Sequence, residues 1–180
     1  MDLGCGYASP IRNLRHAHKT GVDVDKPYLL KAKNSKTHED FILADVTSLP
    51  VRGVFDAVIA LSVIEHQAKE QGFSLIKSMS LLARKKIVVS TTNGFVPQDC
   101  YDHNPLQMHK SGWGSEDFKG LGFRVNGIYG LKQLRKGRGI ARFRPERLCY
   151  ILSNFSQALT YHVPKMAFEL FCVKDTEQHQ

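Results

Sequence analysis

Two glycines set one residue apart, Gly4 and Gly6 in the run Asp2-Leu3-Gly4-Cys5-Gly6, can fold the backbone tightly around a small ligand. Glycine has no Cβ, so it admits a sharp turn and lets ligand atoms reach the main chain. Two glycines alone are a weak signal, shared by several nucleotide-binding loops. The acids around them narrow the chemistry. Asp2 stands directly before the loop, where a carboxylate attracts an ammonium group and repels a pyrophosphate. Asp23 follows Gly4 by 19 residues, and a carboxylate there can accept from both hydroxyls of a ribose. Asp45, in FILADVTSLP, could accept from an adenine amine while Val46 packs on the ring, although a plain turn role also suits it. In series, the three acids suit a nucleoside that carries an amino-acid ammonium group. A dinucleotide fingerprint would instead place a third glycine where Ser9 stands.

A second set of residues could handle protons or shape a pocket. Glu65 and His66 follow an apolar run, and His66 is the better general base because imidazole titrates near neutrality. The plainer reading, which the residues by themselves favour, is that they shape a loop and start the next helix. His109 and Trp113, in MHKSGWGSEDF, are candidates for a substrate pocket, or the indole packs a helix onto the sheet. Tyr101, Asp102 and His103 share that loop without a sharper signal. Cys100, His103 and His109 come nearest to a metal cluster, but their spacing matches no common zinc pattern and no metal is expected. Cys5, Cys100, Cys149 and Cys172 include no C-x-x-C pair and read as reduced thiols.

The elements that must position these residues alternate between short apolar runs and amphipathic stretches, the pattern of an α/β domain with a mainly parallel sheet. A brief first strand ends at Leu3. Ser9 and Pro10 then predict a helix running to about Lys19. Strands follow at about 20–24, 40–44, 55–61 and 86–91. Helices are predicted over 26–34, capped by Asp25, and over about 68–83 despite Gly72. The segment 93–111 reads as a long loop, and Ser115 as the cap of a short helix to Leu121. A strand at 123–129 pairs antiparallel with a closing strand at 167–173. An insertion of about 131–163 lies between them, holding a helix over 145–160. On this reading Asp2, Asp23, Asp45 and Leu61 all sit at carboxyl ends of neighbouring strands, the usual place for a ligand in an open α/β sheet.

With these motifs in order, the chain resembles the class I S-adenosylmethionine-dependent methyltransferases, especially the broad group called methyltransferase type 11. The resemblance is carried by DLGCG, GVDVD, ILADVTSLP and FDAVIALSVIEH, from residue 2 to about residue 95. It implies a Rossmann-like fold over a single domain of residues 1–180, helices on both faces of the sheet, and S-adenosylmethionine as cofactor. It also implies that Asp2, Gly4 and Gly6 contact the methionine part and Asp23 the ribose. Asp45 and Val46 would lie at the adenine, with Leu61 and Ser62 beside the cofactor. Ala8 stands where many members carry a further glycine. Members also have upstream helices and a longer first strand, so the chain is expected to be truncated at its start and to bind cofactor weakly or dissolve poorly.

The composition, 42% apolar and 23% charged, is ordinary for a folded chain rather than a disordered one, and no apolar run is long enough to span a bilayer. A cytoplasmic location is the expectation. The net charge of +8 is uneven, with Lys132, Arg135, Lys136, Arg138, Arg142, Arg144 and Arg147 in one segment. That segment allows a solvated loop, contact with an RNA backbone, or docking of a lipid-like acceptor or anionic membrane beside the apolar residues 148–159. Those apolar residues, Leu148 to Leu159, are expected to face the core. The acceptor favoured is a small or lipid-like molecule. The alternatives are RNA methylation through residues 132–147, a NAD-binding oxidoreductase, and a non-catalytic regulatory domain; the sequence leaves the oligomeric state open.

Overall fold

A computed structural model describes residues 1–51, 53–100 and 104–176. Its strands are β1 (Asp2–Leu3), β2 (Thr20–Asp23), β3 (Asp40–Leu43), β4 (Phe55–Leu61), β5 (Ala83–Thr92), β6 (Arg124–Leu131), β7 (Arg135–Lys136), β8 (Ile140–Ala141) and β9 (Ala167–Asp175). The helices are α1 (Lys26–Asn34), α2 (Lys69–Leu82), α3 (Ser115–Lys119) and α4 (Glu146–His162). Seven strands form one sheet in the order β3-β2-β1-β4-β5-β9-β6, and β7 and β8 make a separate small hairpin. The first five strands of that order are mutually parallel. β9 runs antiparallel between β5 and β6, which gives the expected antiparallel closing strand.

The core lies on the β4–β5 side. Val58, Ala60, Ile87 and Val89 are fully covered by Leu75 and Met79 of α2 and by Trp113 and Phe118. β1 is only two residues long, yet Met1 extends its pairing. The Met1 amino group donates to the Ala57 carbonyl at 2.8 Å, and the Met1 carbonyl accepts from Ile59 at 3.0 Å. α1 begins where Asp25 Oδ1 accepts from the Tyr28 amide at 2.8 Å, as a capping aspartate should.

Three local expectations are corrected. The segment after Pro10 makes only a 3₁₀ turn, Pro10–Asn13, although Ser9 does cap it. Only Ile11 of that turn is buried, and Leu14 is exposed, so no apolar stripe stabilises a longer helix. Lys19 instead turns its ammonium towards the Arg12 and Leu14 carbonyls at 3.4 Å. The cap of α3 is Gly114 rather than Ser115, because Asp117 Oδ2 accepts from the Gly114 amide at 2.7 Å.

The third correction concerns α4. Its buried residues are Cys149, Ser153 and Thr160, while Leu148, Ile151, Leu152, Phe155 and Leu159 are exposed, Phe155 at 81%. The polar side of the helix lies against β6, the open edge of the sheet. The Gly130 amide donates to Gln157 Oε1 at 3.0 Å and the Leu131 amide to Ser156 Oγ at 3.0 Å. Gln157 Nε2 donates to the Gly127 carbonyl at 2.9 Å, and Ser153 Oγ donates to the Tyr129 carbonyl at 2.7 Å. These bonds satisfy edge groups that would otherwise be open to pairing with another strand.

Candidate functional site

The glycine loop leaves β1 with Gly4 at φ +66° and Gly6 at φ +53°, a region that favours glycine. A Cβ on Gly4 would stand 2.6 Å from Val63 Cγ2, so the missing side chain also admits the segment after β4. Two acids hold the loop in place. Asp2 is buried, and its Oδ2 accepts from Ser9 Oγ at 2.6 Å and lies 3.1 Å from His38 Nε2. Asp23 Oδ2 accepts from the Gly6 amide at 2.8 Å and Oδ1 from the Asp25 amide at 2.9 Å. Burial raises the Asp23 carboxyl above its usual range, and those two amides oppose the shift. Asp45 closes a turn, with Oδ1 accepting from the Thr47 amide and hydroxyl at 2.8 Å each.

Three adjoining cavities open at the carboxyl ends of the strands, all lined by Ser62 and Gln107. The first, about 250 Å³, is lined by Gly4, Asp23, Asp25, Asp45, Val46 and His66 among others. The second, about 310 Å³, is lined by Asp2, Gly4, Gly6, Tyr7 and Leu61. Together they bring the eight residues expected at a cofactor into one groove that bends around Gly4. The donor set suits a cationic nucleoside, because the side chains facing the first cavity include three carboxylates (Asp23, Asp25 and Asp45) and a buried valine. Ser62 itself has φ +54°, a strained value for a residue with a side chain. Its amide donates to the Ser90 carbonyl at 3.0 Å, which keeps it at the tip of β4.

The third cavity, about 540 Å³, lies beyond Ser62 and is lined by Glu65, His66, His109, Tyr129, Arg135 and Glu169 among others. His66 lines both this cavity and the first. Its Nδ1 meets the Met108 carbonyl at 3.1 Å, and His109 Nδ1 meets the Val96 carbonyl at 2.7 Å. The two rings stand edge to face with centroids 4.9 Å apart. Burial lowers both imidazoles below their ordinary range. Glu65 is completely buried, accepts from Thr91 Oγ1 at 3.0 Å, and is pushed by burial up to about 8. Glu169 is raised as well, again chiefly by burial.

Trp113 does not line these cavities. It is fully buried, donates from Nε1 to Ser111 Oγ at 2.9 Å, and packs between Phe73 and Phe118. Its role is to pin the loop that carries His109, through the Gly94 amide donating to the Trp113 carbonyl at 2.7 Å. Of the residues Cys100, His103 and His109, His103 lies outside the described residues, as do Tyr101 and Asp102, and Cys100 is exposed.

Several lining residues escaped the sequence reading. Asn104 reaches from the long loop to Asp25, its Nδ2 donating to Oδ2 at 2.7 Å, and so fastens the loop over the first cavity. Arg135, expected in a charged surface segment, is buried: its Nε donates to the Tyr129 carbonyl and Ser153 Oγ, and its Nη1 to the Gly139 carbonyl at 2.7 Å. It thereby fixes the β7–β8 hairpin against the third cavity. Asn104 precedes a proline, a turn signal that was visible, whereas nothing in the basic run distinguishes Arg135 from its neighbours.

The family model described as methyltransferase domain matches residues 1–85. Among solved structures, magnesium protoporphyrin IX methyltransferase from Synechocystis with bound S-adenosylmethionine is similar at 18% identity and a TM-score of 0.57, over 98% of this chain and 68% of that one. A SAM-dependent methyltransferase from Archaeoglobus fulgidus is similar at 18% identity and a TM-score of 0.58, over 97% and 84%. The plantazolicin methyltransferase BpumL in complex with S-adenosylhomocysteine aligns at 16% identity and a TM-score of 0.57, over 98% and 75%. No curated protein sequence matches the chain.

Proposed function

We propose that the chain is an S-adenosylmethionine-dependent methyltransferase that methylates a small or lipid-like acceptor held in the cavity of about 540 Å³ beyond Ser62, a reading supported by the methyltransferase-domain match over residues 1–85 and by the likeness in fold to methyltransferases. The observation that carries this reading is the junction at Ser62, His66 and Gln107, where the acceptor cavity meets the groove around Gly4. The cofactor, when bound, supplies the electrophilic methyl group. The protein's own work is then to bind, align and exclude water.

Asp23 takes the ribose hydroxyls, Asp45 and Val46 the adenine, and Asp2, Gly4 and Gly6 the methionine end, with Leu61 and Ser62 alongside. His66 faces both the groove and the acceptor cavity. Its Nδ1 is engaged by the Met108 carbonyl, so its Nε2 is the atom that receives the acceptor's proton. His109 lines the acceptor side, and Trp113 acts indirectly by seating its loop.

A lipid-like acceptor is favoured over RNA by the surface beside the cavity. Tyr150 of α4 lines the cavity, and the same helix presents Leu148, Ile151, Leu152, Phe155 and Leu159 outward. Four of these five side chains are aliphatic and neither stack on bases nor pair with phosphates, which leaves Phe155 as the one stacking surface in the group. The test is transfer of a labelled methyl group to a panel of soluble phenols, lipid acceptors in vesicles and RNA oligonucleotides. Product on the phenols or lipids is expected, with kcat reduced in His66→Ala. Product on RNA alone would overturn the acceptor reading, and an unchanged kcat in His66→Ala would remove the base.

A further inference from the structure

We propose that Glu65, His66 and His109 form a binding site for a divalent transition-metal ion in the wall of the acceptor cavity. One donor atom from each residue lies within 4.8 Å of the others. That spacing lets a single ion reach all three at ordinary nitrogen and oxygen bond lengths after small adjustments. The ligands come from two segments, the 3₁₀ turn Ile64–His66 and the loop carrying His109.

The imidazoles are already oriented. A carbonyl only accepts, so the Met108 and Val96 carbonyls fix a proton on Nδ1 of His66 and of His109. Each ring therefore turns an unprotonated Nε2 to the remaining side. This is the arrangement by which metal-binding histidines are held, with the far nitrogen donating to a carbonyl or carboxylate.

The third ligand calls for a counter-charge. Glu65 is fully buried and accepts from Thr91 Oγ1, and among the described residues it forms no ion pair with a Lys, Arg or His. Ionised, that carboxylate would stand without an opposite charge in the interior, and a dication beside it would supply one. The two ligand segments are also locked to each other. The Lys110 and Ser111 amides donate to the Glu65 carbonyl at 2.7 and 3.1 Å, and Ser111 Oγ donates to the Ile64 carbonyl at 3.2 Å. The site is thus held together by its supporting hydrogen bonds rather than by loose side chains.

Two imidazole nitrogens and one carboxylate select zinc, cobalt, iron or manganese over magnesium and calcium, which prefer oxygen ligands. Three protein ligands leave positions open towards the cavity. The acceptor class that exploits them is a hydroxyl compound, such as a phenol or vicinal diol. A hydroxyl beside the ion releases its proton to solvent. Its oxygen then bonds the methyl carbon as the carbon–sulfur bond breaks, and the sulfonium becomes a neutral thioether. In that state His66 is a ligand through Nε2, and the ion replaces it in lowering the acceptor's proton affinity. This role rests on the proposed acceptor cavity; the binding of the ion does not.

The full chain, treated with chelator and desalted, should be titrated with Co²⁺, followed by its visible absorption and by calorimetry, with Mg²⁺ as control. About one Co²⁺ per chain is expected, with affinity reduced about a hundredfold or more in His109→Ala and in Glu65→Gln, the latter a near-isosteric change that preserves the fold. Cys100→Ser, which removes the exposed thiol of the neighbouring loop, should bind as the parent does. Failure of the parent to bind Co²⁺ saturably, equal binding by His109→Ala, equal affinity for Mg²⁺, or loss of binding in Cys100→Ser would each overturn the assignment. None of these readouts requires methyl transfer. A chain that binds Co²⁺ but methylates only RNA keeps this site and loses the acceptor reading instead.

Discussion

Gly72 sits within α2, where alanine would ordinarily stabilise the helix by about 1 kcal/mol. The structure reverses that expectation. A Cβ on Gly72 would overlap Trp113 Cζ2 and stand 2.9 Å from Cη2, against about 3.5–4.0 Å for comfortable carbon contacts. The indole cannot swing aside cheaply. It is bonded to Ser111 through Nε1 at 2.9 Å, flanked by Phe73 and Phe118, and covered by the Lys69 ammonium 3.9 Å from its ring centre. Overpacking of a tight core costs about 1–3 kcal/mol. Less the helix gain, Gly72→Ala should therefore destabilise the protein by up to about 2 kcal/mol. Trp113→Phe removes the ring carbons in question, so in that background Gly72→Ala should be neutral or stabilising, a non-additivity of about 1–3 kcal/mol. Urea unfolding of the four proteins, followed by circular dichroism, measures it. A Gly72→Ala protein more stable than the parent would refute the packing argument. So would the same effect of alanine in both backgrounds. Trp113 also anchors the loop that presents His109, so the single variant should additionally weaken Co²⁺ binding.

Other expectations can be checked with the same preparations. Ser153→Ala should lower stability by about 1–3 kcal/mol in urea unfolding, because it strips the buried Arg135 guanidinium of a partner at 2.8 Å. Phe155→Ser, at an exposed position of α4, should shift stability by less than about 0.5 kcal/mol. Asp23→Asn should weaken S-adenosylhomocysteine binding by about tenfold or more in calorimetry, since hydrogen bonds to a charged group contribute about 1.5–3 kcal/mol. Iodoacetamide at pH 8 should label Cys100 first, by mass spectrometry of peptides. Cys5, whose thiol burial pushes up to about 12, and the buried Cys172 should react only in denaturant.

Much of the scaffold was legible because local chemistry and global fold agree there. The Asp25 cap and the spacing of Tyr28, Leu29 and Ala32 specify α1 to the residue, and the apolar run Phe55–Leu61 is β4 as expected. The groove around Gly4 was legible for the same reason: its residues occupy the carboxyl ends of strands and the loops directly after them. The acceptor side was legible only in part: His66 and His109 were candidates and line the third cavity, whereas Trp113 does not. His109 comes near Glu65 because a buried indole and several backbone bonds hold residues 93–100 and 104–113 against the segment that carries Glu65, and the burial of Glu65 had no sign in the sequence. No periodicity reports such an approach.

α4 shows why even a strong helical pattern can mislead. The spacing of Leu148, Ile151, Leu152, Phe155 and Leu159 identifies an apolar stripe correctly, but not which stripe meets the sheet. Two facts decide that. β6 is an edge strand, and if buried without partners each of its amides and carbonyls would cost about 1–3 kcal/mol. Ser153, Ser156 and Gln157 can satisfy four of them, and leucines cannot satisfy any. The approach is also too close for bulk. At Gly130, with φ +66°, an added Cβ would overlap the Ser153 carbonyl, so only small residues such as Cys149, Ser153 and Thr160 fit on the inner face. Turning the apolar stripe inward would forgo the edge bonds and drive large side chains into the backbone of β6. Leaving it outward only forgoes burial that this edge of the sheet has no room to provide. Hydrogen-bond satisfaction and steric closeness therefore override hydrophobic patterning here, and both reside in β6, not in the helix whose orientation they set.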